Sequence, residues 1–382
     1  MKPTHCKCKM GLIGMALASA GFVSQVSAQG YHFTDLSTPG GAISAANAIS
    51  NTGQITGLTY AAGTYNSHAT LWGASGPVDL GTLGGDFGSG MAINQLGQVA
   101  GFGAGGRAAL WQNGSGFDLG TLGGAHSYAS GINNAGQVVG QSYIDSDNVA
   151  FHAALWQGNS VLDLGTLGGR FSAANGINNG GQVVGQASTS NNSSFHATLW
   201  SNGTVLDLGT LGGKYSSAIA ISDSGYVVGQ ADVPLAGLTG MHATLWQNGQ
   251  IRDLGVLAGG TESSARAVNL GGQVVGYSFY GGSEAPHAML WHNGIMLDLN
   301  SMLAAETVQA GWVLSDASGI NDFGAIVGSA YNIRTGANHA YLLAPVPEPS
   351  SWALMMAGLG AVLLGVRRRK QRLAGGKGQT LS

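Results

Sequence analysis

Cysteine is almost missing from this chain. Its 382 residues include two, Cys6 and Cys8, both near the N-terminus. Two thiols so placed cannot complete a tetrahedral zinc site, which takes four ligands. Basic residues are also scarce in the body of the chain: residues 30–345 hold 6 basic and 17 acidic side chains, a net −11. No basic stripe runs through them, so the body repels a phosphate backbone and nucleic acid is excluded as a partner. A sustained apolar spacing of 3.6 residues is absent outside a short stretch at 301–309, which excludes a helical body. There are 66 glycines but no Gly-X-Y period, so a collagen-like rod is excluded. Regular apolar pairs and a tryptophan in most copies of the repeat exclude plain disorder.

What is there instead is a repeat. Asp-Leu-Gly-Thr-Leu-Gly-Gly stands intact at Asp118, Asp163 and Asp207, and looser copies start at Asp35, Asp79, Asp253 and Asp298. The spacings between these aspartates are 44, 39, 45, 44, 46 and 45 residues. A fixed period in this range means one supersecondary unit used seven times. In the fourth copy the segments 172–178, 182–185, 196–200 and 204–208 read as short strands separated by Asn/Gly turns, which predicts an up-and-down antiparallel meander. A lone four-stranded sheet cannot bury both faces; radial packing of several does so and hides their edges. The fold class expected is therefore all-β, a seven-bladed β-propeller of four-stranded antiparallel blades. Its ends complement each other. The strand His-Ala-x-Leu-Trp recurs at His68, Arg107 (Arg for His), His152, His196, His242, His287 and His339. The last lacks a fourth strand after it, and residues 31–36 are a fourth strand with no blade before them. An open solenoid, the main rival, would leave these two fragments far apart.

The two termini read as addresses. Lys2, Lys7 and Lys9 precede an apolar run at 10–23 and small residues at Val26-Ser27-Ala28. This is the order of a secretory signal peptide, spanning 1–28 and cleaved after Ala28 by signal peptidase. The apolar stretch falls short of the roughly 20 residues of a membrane span. Cleavage removes both cysteines, leaving a body without disulfides. At the other end, 346–351 reads Val-Pro-Glu-Pro-Ser-Ser, an uncharged run fills 352–366, and Arg367-Arg368-Arg369-Lys370 follows. The basic cluster is expected to stay on the cytoplasmic side of a hydrophobic, transmembrane helix.

The C-terminal segment 346–372, through Pro347, Glu348, Pro349, Arg367, Arg368 and Arg369, resembles the PEP-CTERM sorting signal. The resemblance implies a Gram-negative bacterium that makes exopolysaccharide, export across the inner membrane to the surface or medium, transient anchoring by the tail, and removal of the tail by an exosortase. Residues 31–345 resemble the HAF-repeat family of bacterial extracellular proteins. The marks are His-Ala-x-Leu-Trp and the Gly-Ile-Asn-x-x-Gly-Gln-Val-Val-Gly stretch at 131–140 and 176–185. Arg107 and the Tyr341-Leu342-Leu343 stretch, where Trp is missing, depart from the pattern. The resemblance implies export and repetition and brings no reaction or cofactor with it.

Within the repeat, His and Asp recur in every copy and could serve as base and orienting carboxylate. Seven near-identical pairs fit better as partners that satisfy buried polar groups in each blade. Residues 101–106 lack the Lys-Ser/Thr of a phosphate loop. Asp145 and Asp147 have calcium-like spacing but lack the glycine and distal glutamate of a calcium loop. Asn51, Asn134, Asn179 and Asp322 fall in equivalent turns, where they are expected to bond their own backbone and tolerate left-handed geometry. Residues that differ between copies are the functional candidates. Tyr143 and Tyr280, on loops after the second strand, and Trp312, in an insertion at 300–313, define a possible ligand face suited to sugars. The leading expectation is an exported, non-enzymatic binding or structural scaffold with no cofactor, directed at exopolysaccharide or an envelope partner. The alternative is a polysaccharide lyase or glycosidase, which needs two carboxylates about 5 to 10 Å apart. The nonrepeating acids are Asp86, Asp145, Asp147, Asp232, Glu262, Glu284, Glu306 and Asp316.

Overall fold

The computed structural model describes residues 30–37, 43–60, 63–103, 105–235, 238–281 and 285–346. The signal segment with Ala28 and the tail from Pro347 onward lie outside the described residues. Among the described residues the body is nearly all β, with one 3-10 turn, Leu299–Met302, and one short helix, Ala305–Gln309. Its strands form four-stranded antiparallel meanders, one per copy of the repeat. In copy four they are Gly168–Ile177, Val183–Thr189, Phe195–Ser201 and Thr204–Gly209, close to the segments predicted from sequence. Five sheets stand separately. Copies three and four are joined into one eight-stranded sheet by a single parallel bridge between Phe151 and Phe171. The inner strand of copy four begins early, inside the Leu-Gly-Gly connection, which brings Phe171 beside Phe151.

The seventh sheet is composite. Trp312–Ile320, Ile326–Asn332 and Asn338–Pro345 take Tyr31–Asp35 as their outer strand, with Phe33 opposite Leu343 and Asp35 opposite Tyr341. The first segment of the body thus completes the last sheet, 304 residues away in sequence at the His339–Asp35 contact.

Five copies hold the preceding one through the serine that opens their inner strand; copy two carries Gly88 at that place. Ser172 Oγ accepts from Ala153 N–H (2.9 Å) and donates to the Gly165 carbonyl (2.7 Å), tying together two outer strands of the preceding copy. Ser127, Ser216 and Ser263 do the same. Ser44 accepts from Ala340 N–H at 2.9 Å and so joins copy one to copy seven. Apolar packing follows the same path. Trp156 packs with Leu119 and Leu122, Trp200 with Leu164 and Leu167, and Trp246 with Leu208 and Leu211. The Asp-Leu-Gly-Thr-Leu motif therefore serves the following copy's tryptophan; burying such a side chain stabilises by about 3 kcal/mol.

At the opposite end the turn residues form a relay. Asn134 Oδ1 accepts from Gln95 N–H (3.0 Å), Asn179 Oδ1 from Asn134 N–H (2.8 Å) and Asp223 Oδ1 from Asn179 N–H (2.7 Å). Asn51 and Asp322 carry the relay from copy seven to copy one, with Asp322 N–H donating to Asn51 Oδ1 at 2.9 Å. This corrects the expectation that these side chains bond their own backbone in left-handed turns. That self-bonding belongs to the residue before, as in Asn133, whose Oδ1 accepts from Ala135 and Gln137 N–H. The positive φ is taken by glycine, Gly136 in the same turn.

One glycine per copy is required by close approach. The inner strand carries a β-bulge, with register shifting between Ala174 and Gly176 in copy four. The Ala173 carbonyl oxygen then lies where a Cβ on Gly185 would be. The same overlap recurs at Gly57, Gly101, Gly140, Gly229, Gly276 and Gly328. This is why the glycine persists in the second strand of every copy. The insertion before the seventh inner strand packs inward: Leu299 is fully buried in the core with Leu314, and Asn300 bonds both Leu314 N–H (2.7 Å) and its carbonyl (3.0 Å). It is a closure element of the last sheet.

Two outcomes are expected. Gly185→Ala forces the bulge apart and lowers stability by about 3 kcal/mol, readable as a shifted midpoint in urea unfolding. Tyr341 is fully buried and its hydroxyl donates to the Asp316 carbonyl at 3.0 Å. Burial first, then the Asp316 carboxylate, push its phenol well above the ordinary 10.0. A phenol raised on folding gives stability that is complete below the unfolded-chain value and lost as pH rises toward the folded one. Stability is therefore expected to fall above pH 10.0. Tyr341→Phe flattens that limb while costing about 1 kcal/mol at neutral pH, measured by denaturation across an alkaline pH series.

Candidate functional site

Alternating strand direction sorts the loops to two ends. The connection after each outer strand and the loop after each second strand meet at one end, where Gly124 N–H donates to the Tyr143 carbonyl (3.0 Å) and Gly213 N–H to the Asp232 carbonyl (3.3 Å). The Asn relay and the tight turns before the outer strands occupy the other.

The recurrent histidines and aspartates pair at the loop end. His152, His196 and His287 Nδ1 each lie 2.7 Å from Asp163, Asp207 and Asp298 Oδ2. The other carboxylate oxygen accepts from the backbone two residues on, as Asp207 Oδ1 does from Gly209 N–H at 2.7 Å. In copy two Arg107 substitutes for His, its Nε reaching Asp118 Oδ2 at 3.1 Å and its Nη1 the Ala125 carbonyl at 3.2 Å. The pairs were expected to satisfy buried polar groups. They are only half-buried: the Asp163 and Asp207 side chains are 42% exposed and that of Asp298 19%, because the outer strand ends at the rim. They position the strand end and its glycine turn.

A cavity of about 740 Å³ is lined by the bulge residue of all seven copies: Asn47, Met91, Ser130, Asn175, Ile219, Arg266 and Ser318. The bulge turns these side chains out of the pleat. Arg266 is the one cation among them, and Asp316 the one acid among the described residues that line this cavity. Their Nε and Oδ1 are 3.9 Å apart. The Arg266 guanidinium lies over the Tyr277 ring at 5.1 Å, and Ser318 Oγ donates to Asp316 Oδ2 at 2.6 Å. Sequence reading placed Asp316 among eight nonrepeating acids and missed Arg266. Its signal is visible when the inner strands are set in register.

The three aromatics expected to define a ligand face do not meet. Tyr143 belongs to a run of half-buried rings: His126–Tyr143 (6.1 Å between centroids), Tyr143–Phe151 (5.8 Å), Phe151–Phe171 (5.2 Å) and Phe171–Phe195 (6.3 Å). Phe195 is bridged to Tyr215, which is 46% exposed. This arc crosses copies three to five at the loop end. Tyr280 instead stacks on His287 in copy six (5.3 Å), and Trp312 lies against Phe33 (5.6 Å) and His339 (5.2 Å) in the composite sheet. Asp145 Oδ1 accepts from Val149 N–H (3.2 Å) within the loop, and Asn148 Oδ1 accepts from Ala125 N–H (2.8 Å) in the adjoining connection, so both oxygens are taken up by backbone. Among the described residues no three His, Cys, Asp or Glu side chains cluster as metal ligands. Of the other acids, Asp232 is buried at the loop end and accepts from Tyr215 N–H at 3.2 Å. Glu262 and Glu306 are exposed, and Glu284 lies outside the described residues.

Comparison with known proteins bears on the tail. The PEP-CTERM protein-sorting motif matches residues 345–370. The chain carries an exosortase sorting signal. This directs it to the envelope or surface of a Gram-negative bacterium and to processing by an exosortase. Among the described residues no helix is long and apolar enough to cross a membrane; the run at 352–366 lies outside them. No curated protein matches the chain. Among solved structures, it is similar to a protein from Agrobacterium tumefaciens assigned as TolB, at 12% identity over 83% of this chain and 98% of that one, with a TM-score of 0.41. It is also similar to a protein assigned as a gluconolactonase, at 10% identity over 82% and 92%, with a TM-score of 0.38. Scores this low leave the activities of those two proteins with those proteins.

The rim pairs predict a tolerant position. Arg107→His is expected to change stability by no more than about 0.5 kcal/mol, since exposed pairs contribute little either way. Asp118→Ala, which also strands the Gly120 N–H, costs about 1 kcal/mol in the same chemical denaturation assay.

Proposed function

We propose that residues 31–345 form a closed seven-bladed β-propeller that works as a non-enzymatic scaffold for exopolysaccharide at the surface of an exopolysaccharide-producing Gram-negative bacterium. The tail anchors the exported chain transiently in the membrane until an exosortase removes it. Closure is supported by the Tyr31–Asp35 strand within the last sheet and by the bonds from Ser44 to Ala340 and from Asp322 to Asn51. The likeness to HAF-repeat proteins rests on the sequence motifs and agrees with export and repetition.

The observation that carries the binding role is the aromatic arc from His126 to Phe195. Sugar rings present apolar C–H faces that stack on aromatic side chains, and a row of rings across neighbouring blades suits a chain of sugars. The loop-end carboxylates and amides supply hydrogen-bond partners around it. The glycosidase or lyase reading is less favoured, because Asp316 is the only acid among the described residues that line the cavity. Tyr280 and Trp312 are occupied by contacts within their own copies and are secondary to Tyr143 in this role.

A glycan array probed with the full chain is the test. Binding to at least one extended polysaccharide is expected. Phe171→Ala should weaken it about tenfold, the equivalent of one aromatic contact, while Tyr280→Ala changes it little. Binding that survives loss of both Phe151 and Phe171 would remove the arc as the ligand face.

A further inference from the structure

We propose that the cavity holds a second, smaller binding site, in which Arg266 and Asp316 grip the adjacent hydroxyls of a single neutral sugar residue. The repeat supplies the first reason. At the Arg266 position the other copies carry Asn, Met, Ser or Ile, and at the Asp316 position Ala, Ser or Tyr. The blade therefore needs no charge at either place. Two opposite charges nevertheless stand side by side in copies six and seven, where a half-exposed pair adds little to the fold.

Geometry supplies the second. The Nε to Oδ1 distance of 3.9 Å is an ion-pair contact and not a hydrogen bond. Tyr277 fixes the guanidinium plane from one side, and the Arg266 side chain remains 42% exposed toward the cavity. A guanidinium carries five N–H donors and no acceptor. Beside it Asp316 offers Oδ2 as acceptor, steadied by Ser318, while its Oδ1 is buried. A donor array next to an acceptor matches a vicinal diol, in which one oxygen accepts from Arg266 and its neighbour donates to Asp316. The remaining polar lining, with Gln186, Gln230 and Asn175, is uncharged. A free anion would gain from Arg266 and be repelled by Asp316, so the paired charges favour a ligand without net charge. A volume of about 740 Å³ lies within the range of small-molecule pockets.

The site is separate from the aromatic arc, and the test keeps them apart. The full chain is titrated calorimetrically with glucose, galactose and mannose, with glucuronate as the anion and glycine as the zwitterion. Arg266→Met and Asp316→Ala install residues already present in copies two and one, so both variants should fold; thermal unfolding verifies this, and Arg266→Lys serves if the first does not. At least one neutral hexose is expected to bind, with tenfold or greater loss in each variant and no change in Phe171→Ala. Tighter binding of glucuronate or glycine than of any hexose would overturn the proposal. So would a gain in affinity in Asp316→Ala, equal loss in Phe171→Ala, or no hexose binding at all.

Discussion

A backbone carbonyl that takes the place of a side chain, once in every copy, sets the geometry on which this protein depends. With Ala173 O pressed against the Cα of Gly185, the inner strand must bulge, and the bulge decides what faces the cavity. Only glycine permits the approach, so the glycine that follows the two core residues of the second strand is an architectural requirement. The residue displaced by the bulge, Asn175 or its equivalents, leaves the regular alternation of the strand. It is freed from core packing and becomes available for variation. A constant backbone defect thus produces a variable lining.

The second constraint acts between copies. A four-stranded sheet has two apolar faces and two bare edges, and neither can be satisfied alone. The serine clasp, the Asn relay and the Trp–Leu packing all run from one copy to the next. Each is modest by itself, about 1 kcal/mol for a hydrogen bond. Repetition makes them cooperative, because no copy has a complete core without its neighbour. The first strand joining the last sheet extends that logic to the ends of the body.

Much of this was legible before any coordinates. Turn chemistry at Asn-Gly and the alternation of His-Ala-x-Leu-Trp gave the strands, and the orphan segments at 31–36 and 339–343 announced their pairing. The side-chain roles were less legible. Asn134 looked like a self-bonding turn residue because the donor it serves, the neighbour's Gln95 N–H, is 39 residues away. The aromatic arc was missed except for Tyr143. Phe151, Phe171 and Phe195 sit just before repeated motifs, and only the meeting of loops from adjacent copies aligns them. Arg266 and Asp316 are 50 positions apart and look unrelated until the bulge is counted into the register.

These two kinds of position call for different inferences. Where all copies agree, as at Gly185 or Asp207, the residue answers to the copy and its neighbour, and seven active sites need not be imagined. Where one copy departs in a way the fold does not ask for, a role outside the fold becomes the simpler account. Arg107 departs, yet it keeps the rim pairing to Asp118 and adds a bond to Ala125, so the fold explains it. Arg266 and Asp316 depart together, in the cavity, with no such repeat-level task. Departure alone is therefore insufficient; departure without a structural substitute is what separates a binding residue from a tolerated one.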